Sequence, residues 1–229
     1  IRFLGIGGTS AGAINAIMLA AMGPPASTRS VKTLEVLANM NMYEFVDGDS
    51  DARDFVDALV EGAGRVKMIW KGAQVIDNIF DDLGLNPGHE FENWLHKTLE
   101  QNGVATAKSL DDQLCATPAS LRTREGVPVD VSKDPHRLAI VAAEVTTETK
   151  VVFPQMAPLF WHDAEGVSPA KFVRASMSIP GFFVPLCVES VPSNAQAKKR
   201  WRTLAKYNGH LPQDAYFVDG GIISNFPIN

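Results

Sequence analysis

Ser10 stands two residues after Gly8 and two before Gly12, in the stretch Gly7-Gly8-Thr9-Ser10-Ala11-Gly12-Ala13-Ile14-Asn15-Ala16. A short apolar run precedes it and small residues follow, the pattern of a nucleophile elbow, where a serine sits on a sharp turn from strand to helix. The chemistry would be acyl transfer. An exposed Oγ would attack a carbonyl, and the positive end of the following helix would favour the developing oxyanion. Gly8 and Gly12 would remove side chains that collide with strand and helix. Read alone, the same residues also fit a plain glycine turn.

A serine hydroxyl needs a base to accept its proton. Asp219 directly follows the apolar run Tyr216-Phe217-Val218 and precedes Gly220-Gly221. Reactive groups in open α/β sheets gather beyond the carboxyl ends of strands, which suits Asp219, although an Asp-Gly-Gly hairpin turn fits too. The histidines are His89, His96, His136, His162 and His210, all before Asp219. With Asp219 as the acid the common order Ser, Asp, His is not met, and His89 and His96 read as surface residues. Gly8, Ala11, Gly12, Gly220 and Gly221 are expected to support substrate and oxyanion around Ser10 and Asp219.

The elements that must position these groups follow from periodicity. Ile1 to Ile6 reads as a buried strand, and Ala11 to Met22, apolar on every face, as a buried helix stopped by Gly23-Pro24-Pro25. Ser30 is expected to cap a helix carrying Leu34, Leu37 and Met40, ending near Phe45. Ser50 would cap another with Phe55, Leu59 and Val60 inward. Val66 to Phe80, and Phe91 with Trp94, Leu95 and Leu99, show helical spacing. Leu138 to Val145 and Lys150 to Phe153 read as strands paired around Thr146 and Thr147, and Tyr216 to Val218 as a further strand.

Charge and composition exclude several function classes. The 229 residues are 45% hydrophobic and 21% charged with a formal net charge of −5, against a dedicated nucleic-acid binder. Cys115 and Cys187 give neither a disulfide framework nor a zinc spacing and suit a reducing compartment. The acids of Glu44 to Asp57 match no calcium loop and read as a solvated face. Met68, Ile69, Trp70, Val75, Ile76, Phe182 and Phe183 are read as core in preference to lipid contacts. Lys198, Lys199, Arg200, Arg202 and Lys206 surround Trp201. A solvated helix is preferred there to an anionic-headgroup contact.

The elbow, the Val218-Asp219-Gly220-Gly221-Ile222-Ile223-Ser224-Asn225-Phe226-Pro227 stretch, the block Phe172 to Phe183 and the pair Leu138 to Phe153 together resemble the patatin-like phospholipases. The resemblance covers nearly the whole chain. It implies a three-layer α/β/α fold with a mainly parallel central sheet, as one catalytic domain over residues 1–229. It also implies a Ser–Asp dyad without histidine, Ser10 the nucleophile and Asp219 the group that orients it and takes its proton. The substrate would be a phospholipid or other acyl lipid, cleaved in phospholipase A or lysophospholipase fashion through an acyl-enzyme. No metal or cofactor is called for, and a cytoplasmic site with peripheral membrane contact is expected. The family's glycine-rich oxyanion loop with its arginine is not formed by Gly5, Gly7 and Gly8 and is expected upstream of Ile1, on the view that the chain is truncated there. Two alternatives stay open: an α/β-hydrolase with a histidine beyond Asn229, and a catalytically silent lipid-binding or regulatory module.

Overall fold

A computed structural model describes residues 5–47, 84–117, 120–122, 124–128 and 137–222. The expected helix after Ser50 with Phe55, Leu59 and Val60, the helical stretch Val66 to Phe80, Met68, Trp70, Val75 and His136 lie outside them.

β1 (Ile6–Thr9) leads straight into helix α1 (Ala11–Ala21), followed by α2 (Ser30–Ala38) and a 3-10 turn at Met42–Phe45. β2 (Gly84–Asn86), α3 (His89–Glu100) and α4 (Ala107–Cys115) precede the hairpin β3 (Leu138–Glu144) and β4 (Thr149–Phe153). Then come α5 (Pro169–Ser176), β5 (Gly181–Phe183), β6 (Leu186–Val188), α6 (Ala195–Arg200) with a π-turn at Trp201–Ala205, and β7 (Ala215–Asp219). Helices packed on a central sheet make this the α/β/α class read from the sequence.

The sheet is mixed, where a mainly parallel one was expected. β1 runs parallel to β3, but β4 and β7 are antiparallel to β3, and β6 is antiparallel to β7. The reason is connection length. Only the four turn residues 145–148, Thr146 and Thr147 among them, separate β3 from β4, and so short a connection can join only antiparallel strands. That turn is stapled by buried Glu144, which accepts from the N–H groups of Thr146 (2.7 Å) and Thr147 (2.9 Å) and from the Thr147 hydroxyl. β2 and β5 form a separate parallel pair.

α1 is the expected all-round apolar helix. Ala13, Ile14, Ala16, Ile17, Met18, Ala20 and Ala21 are all buried. β1 ends later than expected, because pairing with β3 carries the extended chain through Gly7 and Gly8 to Thr9. α2 departs further. Its N-cap is Arg29 and not Ser30, and Leu34 is 69% exposed. The face turned inward carries Thr33, Leu37 and Met40, at positions i, i+4 and i+7, which leaves Leu34 one residue off the stripe.

The core is aromatic around the sheet. Phe153 of β4 stacks on Phe172 of α5 with centroids 4.8 Å apart, and Phe217 of β7 meets Phe160 edge to face at 4.9 Å. Trp201 is fully buried against Phe160. Phe183 is likewise buried against Phe91, which bears out its reading as core. Phe172→Ala should cost about 3–5 kcal/mol by urea denaturation, since it removes a buried ring from between β4 and α5. A loss below about 1 kcal/mol would show that the stack does not join them.

Candidate active site

Ser10 and Asp219 were expected at neighbouring parallel strand ends. The register gives a different geometry. Thr9 pairs with Val141 and Asp219 with Ala142, the next residue of β3. β4 covers Ile140 to Glu144 along the other edge of β3. β1 and β7 therefore share one edge of β3 and meet end to end, pointing at each other. Ser10 and Gly220 are the residues at which the two strands turn away from the seam.

A ladder hydrogen bond is lost at that seam and replaced. Ile6 N–H donates to the Arg137 carbonyl (3.0 Å), which sets the alternation of a parallel ladder, so the next bonds start from Gly8 and then Ser10. The bond due from Ser10 N–H to the Val141 carbonyl is not made directly. The Ser176 hydroxyl sits between them, accepting from Ser10 N–H at 3.0 Å and donating to the Val141 carbonyl at 2.6 Å. Ser176 is fully buried, so both backbone groups depend on it.

Freed from the ladder, Ser10 takes φ 55° and ψ −129°. A non-glycine residue there carries strain of about 1–3 kcal/mol and must be held by its surroundings. Gly8 is required, because a Cβ on it would fall inside the Gly12 carbonyl. The expected collision at Gly12 is absent: a Cβ there meets nothing within 4 Å among the described residues. Helix α1 leaves the strand at an angle that brings the Gly12 backbone over Gly8 while the Gly12 Cα faces open space. Gly220 is required for the same kind of reason as Gly8, its Cβ being blocked by the Val141 carbonyl. Ala11 and Gly12, at the first turn of α1, present N–H groups that have no intrahelical acceptor.

Asp219 is 7% exposed. Its Oδ1 accepts from Gly221 N–H (2.6 Å) and its own N–H donates to the Ser178 carbonyl (2.8 Å). Its Oδ2 is buried with no hydrogen-bond partner among the described residues. No hydrogen bond joins Asp219 to Ser10. The Ser10 hydroxyl instead lies 3.7 Å from the Met177 thioether, a weak acceptor. One segment thus touches both groups: Ser176 holds the Ser10 backbone, Met177 faces its Oγ, and Ser178 holds the Asp219 backbone.

That segment is anchored by Arg174, which is 2% exposed. Its Nη1 donates to Ser178 Oγ (2.7 Å), and its Nη2 donates to the carbonyls of Pro87 (2.8 Å) and Val184 (2.7 Å). The guanidinium also lies 4.8 Å from the centroid of Phe183. Burial lowers its pKa to about 10, against the opposing pull of Glu92 and Asp47, so it is still a cation at neutral pH. Sequence reasoning marked the block from Phe172 to Phe183 but gave no role to Arg174, Ser176, Met177 or Ser178. The signal was there: an arginine and two alternate serines inside an apolar stretch, polar groups that burial obliges to find partners.

The described histidines stand elsewhere. His96 Nδ1 pairs with Ser168 Oγ (2.8 Å), His162 Nε2 with the Ser190 carbonyl (3.1 Å), and none bonds to Ser10 or Asp219. Trp201 turns into the core, away from the basic residues around it. Among the described residues no group of His, Cys, Asp or Glu converges as metal ligands, and no helix is long and apolar enough to cross a membrane. A family model described as patatin-like phospholipase matches residues 1–229. The uncharacterized protein YqhO of Bacillus subtilis (strain 168) is 26% identical over 227 residues, covering 99% of this chain and 56% of that relative. The chain thus spans little more than half the length of the curated relative it matches.

Two measurements test this geometry. Gly8→Ala should destabilise the protein by about 3 kcal/mol or prevent folding, because the clash is with backbone. Gly12→Ala should be neutral or stabilise by up to about 1 kcal/mol through helix propensity. Equal losses in urea denaturation would show that both glycines are sterically required. Ser176→Ala should cost about 1–3 kcal/mol, because it strands the Ser10 N–H and the Val141 carbonyl.

Proposed function

The chain belongs to the patatin-like phospholipase family, and from that premise we propose that it hydrolyses acyl lipids with Ser10 as nucleophile and Asp219 as its base. The observation that carries this reading is the unpartnered Oδ2 of buried Asp219 at the seam where Ser10 also turns away. A buried carboxylate oxygen without a donor is costly. A proton arriving from Ser10 Oγ satisfies it.

In this mechanism the Ser10 hydroxyl swings from the Met177 thioether and gives its proton to Asp219 Oδ2 as Oγ attacks the ester carbonyl. The oxyanion forms at the N-terminus of α1, within reach of the Ala11 N–H. Collapse breaks the bond to the leaving alcohol, which takes the proton back from Asp219 and departs, leaving an acyl-Ser10 ester. Water then attacks that ester, passing its proton through Asp219 to Ser10 Oγ and releasing the fatty acid. Asp219 is a weak base at its ordinary pKa of about 3.9. Proximity within a buried seam must therefore supply much of the activation. The substrate read from the family is a phospholipid or lysophospholipid, met at a membrane surface by peripheral contact.

Labelling of the full-length protein with a fluorophosphonate should modify Ser10. Ser10→Ala should abolish both labelling and ester hydrolysis while shifting the thermal midpoint by no more than a few degrees. Asp219→Asn keeps the acceptor for Gly221 N–H but removes the base, so activity should fall nearly as far. Retained hydrolysis in either variant would sink the dyad. Changing each of the five histidines singly to Gln should leave substantial activity. A loss near 10⁴-fold at one of them would point instead to a Ser-His-Asp arrangement.

A further inference from the structure

Between Glu189 and Asp214 the chain carries no acidic residue, yet it holds Lys198, Lys199, Arg200, Arg202 and Lys206. In a protein of net charge −5 this is a local reversal of sign. None of the five has an acidic partner among the described residues. Lys198 and Arg202 line a cavity of about 350 Å³ together with Tyr207, Asn208, Gly209 and His210.

The fold explains how these two cations come to share one cavity. Ala197 and Trp201 are buried and fix the inner face of α6 and its π-turn. Lys198 and Arg202, each one residue further on, lie side by side along the next face. At Trp201–Ala205 the helix widens, Lys206 turns left-handed (φ 56°), and Tyr207 N–H donates back to the Trp201 carbonyl at 3.3 Å. The chain is thereby thrown back across the two cations. Tyr207 packs on Trp201 with centroids 5.6 Å apart, and its hydroxyl donates to the His210 carbonyl (3.0 Å). Gly209 lies so close to that hydroxyl that a Cβ would strike it. The far wall is therefore held in shape without a ligand.

Like charges at i and i+4 on a helix repel, and no carboxylate among the described residues relieves this pair. An anion between them would. We propose that this cavity binds a phosphate group, carried by a lipid headgroup or by a soluble phosphate. Arg202 offers a planar fork of donors, Lys198 a point charge, and Asn208 an amide, the donor set that phosphate oxygens accept. The cavity suits a headgroup better than an acyl chain, because Leu211 is the one aliphatic side chain in a lining that otherwise holds Lys198, Arg202, Ser193, Asn208, His210, Gly209 and Tyr207. None of its lining residues belongs to β1, α1, α5 or β7, the elements that carry Ser10, Ser176 and Asp219. It is thus separate from the candidate active site, and the proposal does not rest on the reading of that site.

The test compares two charge-matched pairs of substitutions at exposed positions in the full-length protein: Lys198→Gln with Arg202→Gln in the cavity, and Lys199→Gln with Arg200→Gln outside it. Inorganic phosphate, at ionic strength matched with sodium chloride, should raise the wild-type thermal midpoint by about 2–4 °C. The cavity pair should lose that rise and the outer pair keep it. Co-sedimentation with phosphatidic acid/phosphatidylcholine vesicles, against phosphatidylcholine alone, identifies the source. A loss of vesicle binding much larger in the cavity pair supports a lipid headgroup. Equal vesicle losses with the phosphate response lost only from the cavity pair support a soluble phosphate. If the two pairs behave alike in both assays, the residues are a solvated basic surface and the proposal is overturned.

Discussion

β3 presents one edge to two strands that arrive from opposite directions, and most of the site follows from how that collision is resolved. β1 stops opposite Val141 and β7 stops opposite Ala142. Neither strand can advance by a residue without displacing the other, so both must turn at the seam. The turn of β1 forces Ser10 into a strained backbone, and the turn of β7 requires Gly220. The ladder bond sacrificed between them would leave two buried polar groups unsatisfied at about 1–3 kcal/mol each. Ser176 Oγ takes both, acting where a water would otherwise have to sit.

Ser176 can do this only because α5 is fixed in depth and rotation. Arg174, two residues earlier, is the fixing point. Its hydrogen bonds reach Ser178, Pro87 and Val184, which ties the end of α5 to the chain before α3 and to the turn between β5 and β6. A buried guanidinium is an expensive post, since desolvation disfavours its charge. It is stable here because carbonyls, a hydroxyl and the face of Phe183 receive it. Gly88 must be a glycine for the same reason, as any side chain there would enter the guanidinium. Asp47 then caps α3 from a distance, accepting from Gly88 and Glu90 N–H groups at 3.0 and 3.1 Å.

Helix α6 obeys a different logic. At the seam, polar groups are buried and each must find a partner within the chain. Along α6 the basic residues stay in solvent, and burial is left to Ala197 and Trp201. β7 thus ends in a dry, over-determined junction, whereas α6 keeps an open, positively charged face. Aromatic side chains join the two regions: Phe217 packs on Phe153 and Phe160, and Phe160 on Trp201.

Local chemistry made much of this legible from the residues alone. The glycines around Ser10, the strand-end position of Asp219, the all-apolar α1 and the β3–β4 hairpin are each set by neighbours within a few positions, where backbone sterics and periodicity act. Leu34 escaped that reading because one residue of rotation on a helix carries a side chain from core to solvent. Gly12 escaped it because a steric demand depends on the angle at which α1 leaves β1. Strand direction, the end-to-end meeting of β1 and β7, and the bridging of Ser10 to Val141 by Ser176 were decided only in three dimensions. They join residues 166 positions apart in the case of Ser10 and Ser176. A backbone amide carries no mark in the sequence of which hydroxyl will satisfy it.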